Sequence, residues 1–155
     1  MGQNIVTQVE YDDKIIQVKL LNVEKNSLFV GDIFKEISKK NVNIDMISQV
    51  MLEDEMRIDF TCQQTDQEKL NQALEIIKEK HPRIMIYQNR KVSKIMVEGE
   101  GMKEEVGVAA NIFDIFGQCQ IPLLQVTTSE TSISYVIPQE LTSLAVQKIK
   151  NLYQL

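Results

Sequence analysis

The sequence predicts an α+β fold made of two βαββαβ units, each with helices covering one face of an antiparallel sheet. Three observations lead to this prediction: an internal repeat, helical spacing of apolar residues in each copy, and alternating apolar residues in the segments between the helices. The chain has 155 residues, enough for two small units. Because the βαββαβ order is that of ferredoxin-like domains, we predict two ferredoxin-like domains in one chain.

The repeat aligns a segment starting at Lys14 with one starting at Ser93 and places Phe34 on Phe113. Each copy opens with an alternating strand, continues through a loop and enters a helix whose apolar residues fall at i, i+3, i+4 and i+7. Those residues are Val30, Ile33, Phe34 and Ile37 in the first copy and Ala109, Ile112, Phe113 and Phe116 in the second. Each helix is therefore expected to bury the face on which these apolar residues lie.

Two strands and a second helix follow in each copy. The predicted strands are 44–51 and 57–62 in the first copy and 123–128 and 131–137 in the second, and their alternation indicates sheets with one buried face. The second helix follows a capping-box sequence, Thr65-Asp-Gln-Glu68, in the first copy and has Pro138 in its first turn in the second. A strand over 83–87 completes the first copy.

The second copy has no fourth strand of its own, which would leave an unpaired apolar edge. The segment Ile5-Val-Thr-Gln-Val9 precedes the first copy and has no other assigned place. We therefore predict that the N-terminal strand completes the second sheet. The predicted domains are residues 13–90 and residues 91–155, with residues 4–10 as the added strand of the second domain.

Charge and hydropathy exclude several kinds of partner. The net charge of -5 comes without a basic block that could follow phosphates, so nucleic acid is not an expected partner, and an RNA-binding domain of this fold would need basic, aromatic central strands. No apolar run approaches the roughly 18 residues of a membrane span, and no secretory leader is recognisable. Cys62 and Cys119 lie far apart, which predicts buried thiols in a reducing, cytoplasmic location.

The sequence offers little for catalysis. His81 stands before Pro82 after a helix rich in lysine and glutamate, so we predict a solvated helix end rather than a base or a ligand. Without a second histidine or a Cys-x-x-Cys pair, zinc sites and catalytic triads are not expected. The glycines of Gly99-Glu-Gly101 fit no phosphate-loop pattern and suit a tight turn. We expect no catalytic residue, no metal and no cofactor.

Binding of a small molecule is the remaining chemistry. The loop into the first helix presents free backbone N–H groups at a helix N-terminus, which suits a carboxylate. The carboxylate of Asp45 or Glu130, with the amides of Asn43 and Gln49, could receive an ammonium group. Together these groups suit a zwitterion such as an amino acid. The alternative is that Asp45 and Glu130 only cap turns.

Three motifs carry a family resemblance: Asn43-Ile-Asp-Met-Ile-Ser-Gln49, Gly99-Glu-Gly-Met-Lys103 followed by Gly107-Val-Ala-Ala110, and Thr127-Thr-Ser-Glu-Thr-Ser-Ile-Ser134. Together with the opening strand, they resemble the tandem ACT domains at the C-terminus of aspartokinase, from about Ile5 to Tyr153. The resemblance implies a non-catalytic regulatory region or subunit of aspartate kinase, the ATP-dependent phosphotransferase that acts on L-aspartate. No segment is left over for the ATP and aspartate sites, so we expect no catalytic site in this chain.

The resemblance also implies partners and a site. It implies that lysine or threonine binds between ACT domains for allosteric feedback inhibition of aspartate-family amino-acid biosynthesis. It further implies a homodimer through ACT sheets placed edge to edge, and a catalytic domain or subunit of aspartate kinase as partner. The implied effector-binding residues are Lys25, Asn26, Ser27, Leu28, Phe29, Val30, Asn43, Asp45, Gln49, Ala109, Pro122, Leu123, Ser129 and Glu130.

The first loop departs from the family pattern. Lys25-Asn-Ser-Leu28 stands where the family has Asp-x-Pro-Gly, and Pro122 cannot donate the backbone hydrogen bond that other residues could. The alternative interpretation is therefore a degenerate ACT pair that serves only as a dimerisation or interaction module without effector binding.

Overall fold

A computed structural model describes residues 5–155, and this part of the chain divides into two compact units. The first unit is Lys14–Arg90, and the second unit combines Lys91–Leu155 with the N-terminal segment up to Asp13. The N-terminal segment contains strand β1 (Gln8–Asp12). Position 4 of the predicted added strand lies outside the described residues. None of the helices within residues 5–155 has the length and apolar character needed to cross a membrane.

The first unit has the order βαββαβ. Its elements are β2 (Ile15–Val23), α1 (Ser27–Lys39), β3 (Ile47–Met51), β4 (Met56–Gln63), α2 (Gln67–Lys80) and β5 (Met85–Asn89). The antiparallel sheet has the order β3-β4-β2-β5. Val18 lies opposite Phe60 in the two central strands, and both side chains are fully buried together with Ile33 of α1 and Leu70 of α2. The core thus lies between the sheet and both helices.

The second unit repeats this arrangement with a strand from the start of the chain. Its other elements are β6 (Val92–Glu98), α3 (Val108–Gln118), β7 (Gln125–Thr128), β8 (Ser132–Pro138) and α4 (Thr142–Tyr153). The sheet order is β1-β6-β8-β7, and Val9 of β1 lies opposite Val97 of β6. The prediction of two ferredoxin-like units, with the second sheet completed by the N-terminal strand, is confirmed.

The added strand begins later than predicted, at Gln8 instead of Ile5. Ile5 and Val6 instead run past Gly99 and pack against the core of the second unit. A Cβ atom on Gly99 would lie 1.8 Å from the carbonyl oxygen of Ile5, so only glycine leaves room for this segment. The N–H of Thr7 then donates to the carbonyl oxygen of Glu98 at 2.8 Å, just before regular pairing starts.

Two predicted helix starts are wrong. A 3-10 turn, Gln64–Asp66, precedes α2, and no side chain caps either the turn or the helix, so Thr65 does not form a capping box. Pro138 ends β8 in an extended conformation, and a second 3-10 turn, Gln139–Leu141, leads into α4. In both places the 3-10 turn makes the first i to i+3 bonds, which replaces the cap that the sequence suggested.

Candidate functional site

The loop between β2 and α1 is closed by its own side chains. The Oδ1 atom of Asn26 accepts hydrogen bonds from the N–H groups of Leu28 at 2.8 Å and Phe29 at 3.3 Å and so caps α1. The Lys25 ammonium donates to two carbonyl oxygens of the β3–β4 hairpin, at 2.8 and 2.5 Å. Two of the N–H groups at this helix start are therefore already bound.

A charged cluster, Asp32, Glu36, Lys80 and His81, joins α1 to the end of α2. Lys80 Nζ lies 2.7 Å from a carboxylate oxygen of Asp32 and 2.8 Å from one of Glu36, and His81 Nε2 lies 2.8 Å from the other oxygen of Asp32. The hydrogen bonds from Lys80 hold the pKa of Asp32 and of Glu36 below their ordinary values, and the same bonds raise the pKa of Lys80. These three groups are therefore ionised near neutral pH and tie the two helices together.

Two cavities open beside this cluster, and both are lined by Phe29 and His81, whose rings lie 4.2 Å apart. The first cavity, about 570 Å³, is bordered by the β2–α1 loop, the β3–β4 hairpin and the α2–β5 turn. The second cavity, about 470 Å³, follows the beginning of α1 and is lined by Asn26, Ser27 and Leu28. Volumes of roughly 300–1,000 Å³ are typical of small-molecule sites.

The first cavity carries charges of both signs. Glu24, Asp54 and Arg83 line it, and within residues 5–155 their side chains have no hydrogen-bond or ion-pair partner. Val23 and Ile84, both buried, supply apolar lining. The cavity can therefore receive a small molecule that combines ammonium and carboxylate groups with an apolar stem.

Comparisons with known proteins agree with this architecture. Residues 95–153 match the family model of the ACT domain. Aspartokinase 2 of Bacillus subtilis is 28% identical over 156 residues, which cover 100% of this chain and 38% of that protein. The chain thus spans well under half the length of the curated relatives that it matches.

Solved structures match over nearly the whole chain. A structure of aspartokinase alpha and beta subunits has a TM-score of 0.86 at 26% identity and covers 97% of this chain and 99% of the matched chain. The ligand-free regulatory subunit of aspartate kinase from Thermus thermophilus has the same fold, with a TM-score of 0.85 at 23% identity over 95% and 97% of the two chains. Over its whole length this chain is similar to the ACT-domain regulatory regions of aspartokinases.

A ligand-bound aspartokinase structure also has the fold of these two units. The structure of E. coli aspartokinase III in complex with lysine and aspartate, in its T-state, has a TM-score of 0.71 at 16% identity. It covers 96% of this chain, and this chain covers 33% of it.

In the first ACT domain, the effector-binding residues implied by the family resemblance lie apart from one another. The loop 25–30 lies at the start of α1, whereas Asn43 and Asp45 follow its end and Gln49 lies exposed on β3. Because α1 has 13 residues, its two ends are about 20 Å apart. Within the first unit, therefore, Asn43 and Asp45 do not meet the loop.

In the second ACT domain, the implied effector-binding residues also lie at two different ends of the domain. Ala109 lies in the first turn of α3, and Ser129 and Glu130 lie in the β7–β8 hairpin. Pro122 and Leu123 follow the other end of α3 and are exposed. The Ser129 hydroxyl lies 2.8 Å from that of a second serine and closes the hairpin, which is a structural role.

Sequence reasoning missed the charged cluster and the first cavity. His81 is not a solvated helix end: its side chain is 19% exposed, is bound to Asp32 and packs on Phe29. The partners are 49 residues apart, so no local pattern reveals them. One signal was available, because Asp32 and Glu36 form a like-charged i, i+4 pair, which nearby cations stabilise; Lys39 of the same helix lies 3.6 Å from Glu36, and Lys80 of α2 lies close to both carboxylates.

Proposed function

We propose that this chain is the effector-sensing part of an aspartate kinase that binds a free amino acid, lysine or threonine, in the cytoplasm. The observation that carries the proposal is the mixed-charge cavity beside the start of α1 in the first ACT domain. The lysine complex of E. coli aspartokinase III supports the choice of ligand class. The ATP-dependent phosphorylation of L-aspartate would then belong to a catalytic domain or subunit, the partner of this chain.

The proposed mechanism is a shift between two arrangements of the regulatory region. An amino acid that binds one arrangement more tightly than the other raises its population, and the catalytic partner responds to that arrangement. We further propose that two chains form a homodimer through the edges of their sheets. Edge strand β3 supports this, since it is paired on one side and exposes Ile47, Val50 and Met51.

Titration calorimetry of the full chain with lysine, threonine and methionine tests the sensing proposal. We expect saturable heat from lysine or threonine, because the cavity offers partners for both ends of an amino acid. An Asp45→Ala variant tests whether the predicted binding residues at the far end of α1 take part in amino-acid binding. Absence of heat from all three amino acids would contradict sensing.

A second candidate function is an assembly module that no longer binds an effector. The hydrogen bonds that Asn26 accepts from Leu28 and Phe29 favour it, because they occupy the helix start where a carboxylate would sit. The Lys25 ammonium is likewise already bound, to carbonyl oxygens of the β3–β4 hairpin. Analytical ultracentrifugation would then show a dimer that gives no heat with any amino acid. A strict monomer would contradict the dimer in both proposals.

A further inference from the structure

A groove of about 360 Å³ lies between edge strand β1 and helix α4 of the second unit. Its lining comes from β1, from the outer side of α4 and from the end of the chain, and includes Tyr11, Ser143, Val146, Lys150, Asn151 and Leu155. Tyr11 is 58% exposed and Leu155 is 50% exposed, although both side chains are large and mostly apolar. The groove therefore leaves apolar surface in contact with solvent.

The matching groove of the first unit, between edge strand β5 and α2, is bridged by side chains. The amide of Gln88 on β5 donates to Asn71 of α2 at 3.2 Å and accepts from Gln67 of α2 at 2.8 Å. The guanidinium of Arg90 donates to the same Gln67 side chain at 2.8 Å. These hydrogen bonds join the edge strand to the helix beside it.

The second unit does not repeat this bridge. When α4 is aligned on α2 by their buried alanines, the shorter Ser143 takes the place of Asn71. In the same alignment Gln139 takes the place of Gln67, but its amide donates to the carbonyl oxygen of Asp13 at 2.9 Å, just beyond the end of β1. The end of β1 is thus held in place while the groove beside it stays open.

The backbone of β1 can pair with a further strand. The N–H of Gly99 donates to the carbonyl oxygen of Thr131 at 2.9 Å, so odd-numbered residues along β6 bond to β8 and even-numbered ones bond to β1. On β1 the residues opposite those even-numbered ones are 8, 10 and 12. The N–H and C=O groups of Val9 and Tyr11 therefore point away from β6, toward the open edge of the sheet.

The charges at this edge favour one kind of occupant. Glu10 lies on the face of the sheet opposite α4, because the side chain of Val9 is in the core, and Asp12 follows on the same face. Full antiparallel overlap of two β1 strands would set Glu10 opposite Glu10, which disfavours a second copy of this chain. A strand with lysine or arginine on this face would instead be stabilised by opposite charge.

We infer that β1 and α4 form a docking site for an extended segment of a partner protein, which adds to the second sheet as a fifth strand. Apolar side chains of the segment enter the groove beside Tyr11 and Val146, and its basic side chains meet Glu10 on the other face. Hydrogen bonds to the backbone of Val9 and Tyr11 supply affinity, and the two rows of side chains supply selectivity. The site lies in the second ACT domain and does not depend on binding of an amino acid.

Nuclear magnetic resonance of the isotope-labelled full chain with synthetic peptides, at low ionic strength, tests the inference. The probe is a capped peptide of about seven residues that alternates lysine with valine. One control peptide has glutamate in place of lysine, and another is the lysine peptide with N-methyl groups on alternate amides, which prevents strand pairing. We expect the lysine peptide to shift the amide signals of residues 8–12 and 143–151, and both control peptides to bind about tenfold or more weakly.

Single substitutions test the two faces of the site. Glu10→Lys should weaken the lysine peptide by about tenfold and strengthen the glutamate peptide, because it reverses the charge that the segment meets. Ser143→Phe places a ring in the groove from an exposed position and should weaken the lysine peptide by about tenfold or more. Glu68→Lys, at an exposed carboxylate on α2, makes the same change of charge in the first unit and should keep the wild-type affinity.

Each contrary result overturns a stated part of the inference. If the lysine peptide shifts no signal of β1 or α4, or if its N-methylated form binds equally well, strand addition is overturned. If the glutamate peptide binds as tightly, or if Glu68→Lys weakens binding as much as Glu10→Lys, the charge match at Glu10 is overturned. Circular dichroism of each variant shows whether it is folded, and the comparison of peptides on the wild-type chain needs no variant.

Discussion

The two ACT domains share one topology but join their helices by different chemistry. In the first unit Asp32 and Glu36 of α1 form ion pairs with the end of α2, whereas the repeat places Asn111 and Ile115 at these positions of α3. Tyr153 of α4 has a phenol whose ordinary pKa of 10.0 already keeps it neutral near pH 7, and burial raises this pKa further. The comparison teaches that the ion pairs that hold the first helix to the second belong to the first copy, where the mixed-charge cavity lies beside them.

A second difference concerns how each sheet is completed. The first unit uses its own β5, whereas the second uses β1 from the opposite end of its sequence. Gly99 follows directly after β6, and a Cβ atom there would collide with the backbone of Ile5. Glycine at this position therefore leaves the space through which the N-terminal segment enters.

The largest expected effect comes from Gly99→Ala. The new methyl group would meet backbone atoms of Ile5 at 1.8 and 2.7 Å, so the N-terminal segment must move away. We expect the second unit to lose about 3 kcal/mol or more of unfolding free energy, a loss typical of severe steric conflict. Urea unfolding followed by circular dichroism measures the loss, and hydrogen exchange locates it in the second unit.

Gly117→Ala is the matched control for this prediction. Gly117 lies in α3 of the same unit, and a Cβ there meets no atom within 4 Å. Alanine should leave the free energy of unfolding unchanged or raise it by up to about 1 kcal/mol, because it favours helix. If Gly99→Ala had the same free energy of unfolding as the wild type, this result would contradict the described path of the N-terminal segment.

A smaller effect is expected from single substitutions at two core aromatic residues. Phe60 of β4 and Tyr135 of β8 occupy matching places, both are fully buried, and the Tyr135 hydroxyl has no hydrogen-bond partner within residues 5–155. Phe60→Tyr should cost about 1–3 kcal/mol, because it buries an unpaired hydroxyl, whereas Tyr135→Phe should cost nothing or add up to about 1 kcal/mol. Thermal and urea unfolding measure both variants. A clear loss for Tyr135→Phe would show that the hydroxyl has a partner.

Much of the fold was accessible from the sequence because it depends on local patterns. The repeat, the i, i+3, i+4 stripes and the alternation in β4 and β8 identify each element, and the missing fourth strand predicts the role of β1. The predicted helix starts at Thr65 and Pro138 were wrong, because a 3-10 turn precedes each helix in place of a side-chain cap. The charged cluster could not be located, since Asp32 and His81 meet only through tertiary packing.

The smallest expected effect concerns pH. The pKa values of Asp32 and Glu36 lie below their ordinary values of 3.8 and 4.5, so their contribution to the first unit is complete above those values and is lost as pH falls through the lowered pKa values. The contribution of Lys80, whose pKa is raised above 10.5, is lost only as pH rises through that raised value.

We therefore expect Asp32→Asn to lower stability at pH 7 and to flatten its decline between about pH 4.5 and pH 2.5. Urea midpoints measured across this range provide the test. Glu140→Gln, an exposed carboxylate of the second unit, should keep the wild-type profile. An unchanged acid profile for Asp32→Asn would contradict a role of the charged cluster in holding α1 to α2.

The most direct test of functional divergence between the two ACT domains is hydrogen exchange of the full chain with and without saturating lysine. We expect slower exchange in residues 22–32 and 80–86 of the first unit, which include most of the residues that line the first cavity. At a lysine concentration of about 100 times Kd, the protection of these amides should increase by up to roughly a hundredfold. The matching loop of the second unit, residues 99–108, should be unaffected. Protection confined to 99–108, or none anywhere, would contradict the account.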